Sequence, residues 1–142
     1  VLIAIPLFGI SLMDLGLPLL LLLFSLYLFG ITLGLLVTAG LVRFGPSFEN
    51  IAWASLFFIA PLGCIYYPVE ILPNWLQVVA LALPLAHIFE ETRSILITNT
   101  VDYVNIYNAL ALNLVYLSIA LLTFYRSFKT AKIKGSLINV GE

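Results

Sequence analysis

Residues 61–96 read PLGCIYYPVEILPNWLQVVALALPLAHIFEETRSIL. The stretch is apolar, yet Pro61, Pro68, Pro73 and Pro84 interrupt it, four of the seven prolines in the chain. It also holds Trp75, the single histidine His87, and the charges of Glu70, Glu90, Glu91 and Arg93. Proline has no N–H to give a helix and its ring clashes with the preceding turn, so a straight spanning helix is not written this way. Two readings compete. Residues 75–96 form one span of 22 residues kinked at Pro84, or residues 73–96 form two short arms that dip into the bilayer and return. A charge at mid-bilayer costs about 2.5–3.5 kcal/mol on insertion scales. Glu90, Glu91 and Arg93 fall within four residues, which favours the re-entrant hairpin, with the charged arm near an interface.

The surroundings of this stretch set the solvent. The chain has 142 residues, 63% of them hydrophobic and 9% charged, with a mean hydropathy of +1.15. A water-soluble domain carries roughly a quarter charged residues, so the polar surface is too small to cover a globule in water. The net charge of −1 gives no electrostatic footprint for nucleic acid. The single cysteine, Cys64, can form no internal disulfide and lies in an apolar run, where it reads as a small buried hydrophobe.

Residues 1–13 are apolar with Pro6 inside, and no charged segment precedes them, so they do not read as a signal peptide. At 1.5 Å per residue they reach roughly 20 Å, short of the ~30 Å hydrocarbon core. They are expected to be the end of a span that begins in a longer protein. Residues 13–18, Met-Asp-Leu-Gly-Leu-Pro, then read as a short turn, with Pro18 in the first turn of the next helix. Residues 17–41 make a span of 25 residues without a charge, on which Gly30, Gly34 and Thr38 recur every four positions. That small-residue face lets another helix approach closely. Arg43, Phe44, Gly45 and Pro46 break the helix, and residues 48–67 make the next span, with Trp53 and Tyr66-Tyr67 at its two ends as interfacial aromatics. After the hairpin, residues 98–107 are polar and turn-like. Residues 106–125 are the last uncharged span, and 126–142 form a basic tail. The fold class is therefore all-α: a single transmembrane domain, 1–142, of polytopic membrane helices with an external re-entrant helical hairpin.

Lysine and arginine bias sets orientation. With a hairpin at 73–96, Arg43 and the cations of the tail fall on one side, five of the six Lys/Arg. Asp14, Glu70, Glu90, Glu91 and Asp102 fall on the other, with Arg93. A full crossing through Pro84 would abolish the segregation. The basic side is expected to be cytoplasmic, with the C-terminus there.

No catalytic constellation stands out, and there is no glycine-rich loop ending in Lys-Ser/Thr, so the chain is not expected to hydrolyse nucleotide itself. It reads as no enzyme. His87, Glu90 and Glu91 share helical spacing, but two carboxylates and one imidazole from a single turn do not specify a metal site, and none is assigned. Glu90 and Arg93 at i, i+3 are placed to form an ion pair. The plain reading of that pair is a staple within the hairpin; the functional one is a polar lining at an external gate.

The run Tyr67-Pro68-Val69-Glu70-Ile71-Leu72-Pro73-Asn74-Trp75-Leu76-Gln77, then Leu83-Pro84-Leu85-Ala86-His87, then Glu90 and Arg93, resembles the C-terminal half of type-2 ABC exporter permeases. These are membrane subunits of ATP-binding-cassette exporters. Gly34, Arg43-Phe44-Gly45 and the basic tail also fall where such permeases have them. Ala86 stands where threonine or serine is common, and Glu70 is followed by isoleucine. The resemblance implies a six-span permease in the cell membrane, with both termini cytoplasmic. This chain would run from the end of the third span through the sixth. It implies export of a drug, lipid or polysaccharide, with ATP bound by a partner ATPase subunit and no cofactor in this chain. A second permease copy would complete the transporter, as a homo- or heterodimer. Pro68, Glu70, Pro73, Trp75, Pro84, His87, Glu90 and Arg93 would form the external hairpin and gate. The loop carrying Arg43, Phe44 and Glu49 would face the ATPase, and the main coupling helix would precede Val1. The alternative expectation is a non-transporting membrane scaffold or a subunit of a membrane enzyme.

Overall fold

A computed structural model describes residues 12–98 and 100–134. Its order is α1 (Leu12–Phe44), α2 (Phe48–Leu62), a 3-10 turn (Val69–Ile71), α3 (Asn74–Leu81), α4 (Pro84–Thr98) and α5 (Tyr103–Lys134). The described residues contain no strand. Two helices are long and apolar enough to cross a membrane, over Gly16–Phe44 and Tyr103–Ile133.

The element ends differ from the sequence expectations in three places, each for a local reason. The turn expected at 13–18 is helical, with Pro18 inside α1. A proline there forfeits one hydrogen bond, to the carbonyl of residue 14, and the leucines that follow are strong helix formers. The expected span 48–67 stops at Leu62. Gly63 ends it, its N–H donating to the Ile59 carbonyl, and Cys64 takes a left-handed φ of 54°. The 15 residues of α2 reach about 22 Å, short of a bilayer core. The last span does not end at Tyr125. α5 continues through Arg126, Lys129 and Lys132, residues with good helix propensity and no glycine or proline among them, so the basic segment begins as helix and not as tail. A further difference concerns packing. Gly30, Gly34 and Thr38 do not form the seam with the neighbouring helix, and a Cβ at either glycine would meet nothing. The partial span expected at 1–13 lies outside the described residues except for Leu12 and Met13.

The seam that α1 does use is built from other residues. Leu22, Ser25, Phe29, Thr32 and Ala39 of α1 are buried, as are Ile106, Ala109, Asn113, Ala120 and Ser127 of α5. Both sets follow a seven-residue period, the spacing that keeps one stripe facing a partner helix. Most of these side chains are small, which allows close approach of the backbones. Thr32 satisfies its buried hydroxyl on its own helix, donating to the Leu28 carbonyl. Leu19, Leu21 and Leu22 pack in one cluster with Ile106, Ala109 and Leu110. One turn further, Asn113 Nδ2 donates to the Ser25 carbonyl and hydroxyl at 2.9 and 2.6 Å. The two helices advance together, so they run parallel. Arg43 then lies about 27 Å along α1 from Ser25, and Lys129 and Lys132 lie about 24 and 28 Å along α5 from Asn113. The parallel course brings these cations to one end of the pair.

Between α1 and α2 the chain reverses at Gly45, whose φ of +79° suits glycine and whose N–H donates to the Leu41 carbonyl at 2.8 Å. Gly40 lets α2 return closely, since a Cβ there would run into the Phe48 ring. α4 packs on both α1 and α5, with Ile88 and Ile95 in the Leu22–Ile106 cluster. The expected hairpin region is thus two separate helices, α3 and α4, broken at Ala82 and Leu83.

Candidate functional site

The segment between α2 and α3 has little regular structure to satisfy its backbone, and α4 supplies what is missing. Glu90 Oε1 accepts the Val69 N–H and an Arg93 guanidinium N–H, each at 2.7 Å. Arg93 Nη2 donates in turn to the Cys64 carbonyl at 3.1 Å. The ion pair expected from the i, i+3 spacing is present, and it is also a clamp on the turn beyond α2. Its side chains are 24% and 30% exposed, so water screens the pair in part. Tyr67 closes the same turn by donating to the Pro61 carbonyl at 2.8 Å, and Gln77 Nε2 donates to the Leu72 carbonyl at 2.8 Å. Cys64 itself is fully buried at this turn.

Glu91 is fully buried, one residue along and on another face. Its Oε1 accepts the Asp102 N–H at 2.7 Å and its Oε2 accepts Asn105 Nδ2 at 3.3 Å. Asp102 caps α5 itself, Oδ1 accepting the Val104 N–H at 2.9 Å. His87 reaches the end of α3, with Nε2 2.9 Å from the Leu81 carbonyl, and Nδ1 lies 3.4 Å from Asn105 Oδ1. Tyr116 of α5 donates to the next carbonyl along, that of Ala82, at 3.2 Å. These bonds tie α3, α4 and the start of α5 into one joint.

The expected gate residues therefore divide. His87, Glu90 and Arg93 come together on α4. Pro68 starts the 3-10 turn in an extended conformation, Pro73 precedes α3 as its N-cap, and Pro84 is buried at the start of α4. Glu70 and Trp75 are exposed. Glu91, Asn105 and Asp102 were not singled out by the sequence as site residues, although a carboxylate beside Glu90 must leave the helix on a different face. Asn113 was legible as an amide deep within an apolar span, a pattern that marks a polar contact between helices. Glu90 bonds Val69 and Arg93, whereas His87 and Glu91 share Asn105. Among the described residues no group of three or more His, Cys, Asp and Glu side chains could hold a metal ion.

Two cavities flank the joint. One, of about 470 Å³, lies between α1 and α4 and is lined by leucines of α1 with Ile88, Phe89 and Thr92. The Thr92 hydroxyl donates to the Ile88 carbonyl, so the lining is apolar in effect. The other, of about 350 Å³, is bordered by His87 and by Asn108, Ala111, Leu112 and Val115 of α5. At the far end of α1, the Arg43 guanidinium lies 5.5 Å over the Phe44 ring, which stacks on Phe48. Glu49 sits in the first turn of α2, where it favours the positive helix end. Comparison of the chain with protein-family models, curated proteins and solved structures gives no match.

Proposed function

We propose that the chain is a membrane permease subunit of an ATP-driven exporter of the type-2 ABC class, with ATP hydrolysed by a separate subunit. The observation that carries this reading is the parallel course of α1 and α5. If both cross the bilayer in the same direction, the chain between them makes a net single return. α2 and its following turn provide that return, so α3 and α4 enter and leave on one face. This course supports the external re-entrant hairpin that the resemblance implies. The cations support the orientation: Arg43, Arg126, Lys129 and Lys132 lie toward one end of the pair, which is then cytoplasmic in a multi-pass cell-membrane protein. The Gly30–Gly34–Thr38 face is available for a second permease copy, and the Arg43–Phe44–Glu49 loop for the ATPase.

A second reading, a non-transporting membrane scaffold, is favoured by one observation. The Glu90–Arg93 pair bonds to the chain's own backbone and offers little to a passing substrate. Purification of the full-length permease in mild detergent separates the two. A co-purifying ATPase whose hydrolysis is stimulated by the permease supports export, and its absence supports the scaffold. For the hairpin, cysteines placed at Asn74 and Thr100 should both label from outside the cell. Labelling from opposite sides would sink it.

A further inference from the structure

With Glu91 ionised, the joint between α3, α4 and α5 has a proton count that only one arrangement satisfies. Glu91 is fully buried, and as a carboxylate it can only accept hydrogen bonds. Its two oxygens take the Asp102 N–H and the Asn105 amide N–H. The amide orientation of Asn105 is thereby dictated: Nδ2 faces Glu91 and Oδ1 faces His87. Oδ1 is an acceptor, so the His87 Nδ1 opposite it, at 3.4 Å, must carry a proton to bond. The other ring nitrogen, Nε2, faces the Leu81 carbonyl at 2.9 Å, also an acceptor, and must carry a proton as well. A neutral imidazole has one N–H and cannot serve both. Turning the amide over does not help while Glu91 is ionised, because it sets Oδ1 against a carboxylate oxygen.

We propose that His87, Asn105 and Glu91 form a proton-binding site, in which an imidazolium at His87 is paired with the Glu91 carboxylate through the Asn105 amide. The charge argument agrees with the donor count. A fully buried carboxylate that stays ionised needs a compensating charge, and the guanidinium of the same helix, Arg93, is engaged by Glu90 and the Cys64 carbonyl. Among the described residues no other titratable side chain on the packed elements is turned onto the site. α3 contributes none between Asn74 and Leu81, and the one titratable side chain of α1 between Gly16 and Val42 is Tyr27, which is exposed. From the α5 side, Asp102 is turned onto the Val104 N–H and Tyr116 onto the Ala82 carbonyl, while Tyr103 and Tyr107 are exposed. The ring is not sealed off: His87 is partly exposed and borders the open cavity on α5. Loss of the proton turns the Nδ1 lone pair toward Oδ1 and removes the charge opposite Glu91. The end of α3 is then held to α5 by Tyr116 without its histidine link. The site is independent of whether the chain exports anything.

The test uses the full-length protein in lipid nanodiscs with histidine labelled by ¹⁵N in the ring. The His87 signals are assigned by their loss in His87→Gln. The measurement is made at the pH where the wild-type ring is half protonated. Glu91→Gln lets the chain run from donor to acceptor without an extra proton: the new side-chain amide donates to Asn105, Asn105 to Nδ1, and Nε2 to Leu81. The ratio of imidazolium to imidazole should therefore fall at least about tenfold, with the remaining proton on Nε2. A ratio within about twofold of wild type overturns the proposal. Asn105→Ala cuts the same link without touching the carboxylate and serves if Glu91→Gln does not fold. It too should lower the ratio, and an unchanged ratio there likewise overturns the proposal.

Discussion

The α1–α5 seam and the α3–α4 joint are two ways of fixing chain in an apolar setting. In the seam both partners are long helices whose backbones are already satisfied, so little remains to be done except approach. Small side chains on a seven-residue period do that, and one amide, Asn113, meets Ser25. In the joint the backbone is broken at Gly63–Pro73 and again at Ala82–Leu83, and each break leaves N–H and carbonyl groups without helical partners. Here charged and polar side chains supply the bonds: Glu90 to Val69, Arg93 to Cys64, Glu91 to Asp102, His87 to Leu81. Regular structure is held by shape, and irregular structure by charge. An unsatisfied backbone group in hydrocarbon costs several kcal/mol, which explains why charges are tolerated where the helices stop.

Removing a charge from the joint should therefore do the most harm. Glu90→Ala strands the Val69 N–H and unpairs Arg93, and is expected to cost about 3 kcal/mol, read as a lowered unfolding midpoint in mild detergent. The same variant should expose Cys64, which in the wild type is expected to alkylate slowly because its thiol is buried. An unchanged alkylation rate would show that the clamp does not hold the turn. In the seam, Ala120→Leu overfills a fully buried position. It should cost about 2 kcal/mol and splay the helices, measurable as a weaker disulfide cross-link between cysteines introduced at Ala39 and Ser127. Asn113→Ala removes the polar contact of the seam. Its cost should be smaller, about 1 kcal/mol, because Asn113 Oδ1 is buried without a partner and its loss is favourable. Gly34→Ala should be neutral or stabilising by up to about 1 kcal/mol in the single chain, since a methyl there meets nothing. A loss of stability from that change in the assembled protein would locate a second helix on the face.

The same contrast explains what the sequence disclosed. The existence of long apolar helices is legible in composition alone. Their ends are not, because a membrane-type run of leucine tolerates Pro18 and a basic run such as Arg126–Lys132 sustains a helix as well as a tail. The choice of seam face within the chain was illegible for a related reason. Gly30, Gly34 and Thr38 and the stripe of Ser25, Thr32 and Ala39 are both small-residue faces. Which of them is used depends on the pattern of α5, far along the chain. The Glu90–Arg93 pair was visible in its i, i+3 spacing, but its targets are backbone groups 21 and 29 residues distant and leave no mark on the sequence. Glu91 looked like one more charge in a cluster, and its burial follows only from where α5 begins.

The empty space beside α4 has a mechanical consequence. Ile88, Phe89 and Thr92 border a void of about 470 Å³ on one flank of the helix, while Glu90 and Arg93 anchor a different flank to the turn beyond α2. A rod pinned along one edge and unsupported along another is not equally stiff in all directions. α4 has room to lean into the void toward α1, and what opposes that displacement is the stretching of the Glu90–Val69 and Arg93–Cys64 bonds. It resists being drawn the other way, where each step compresses the clamp. Any load passed along α1 thus meets a spring with a soft side and a hard side.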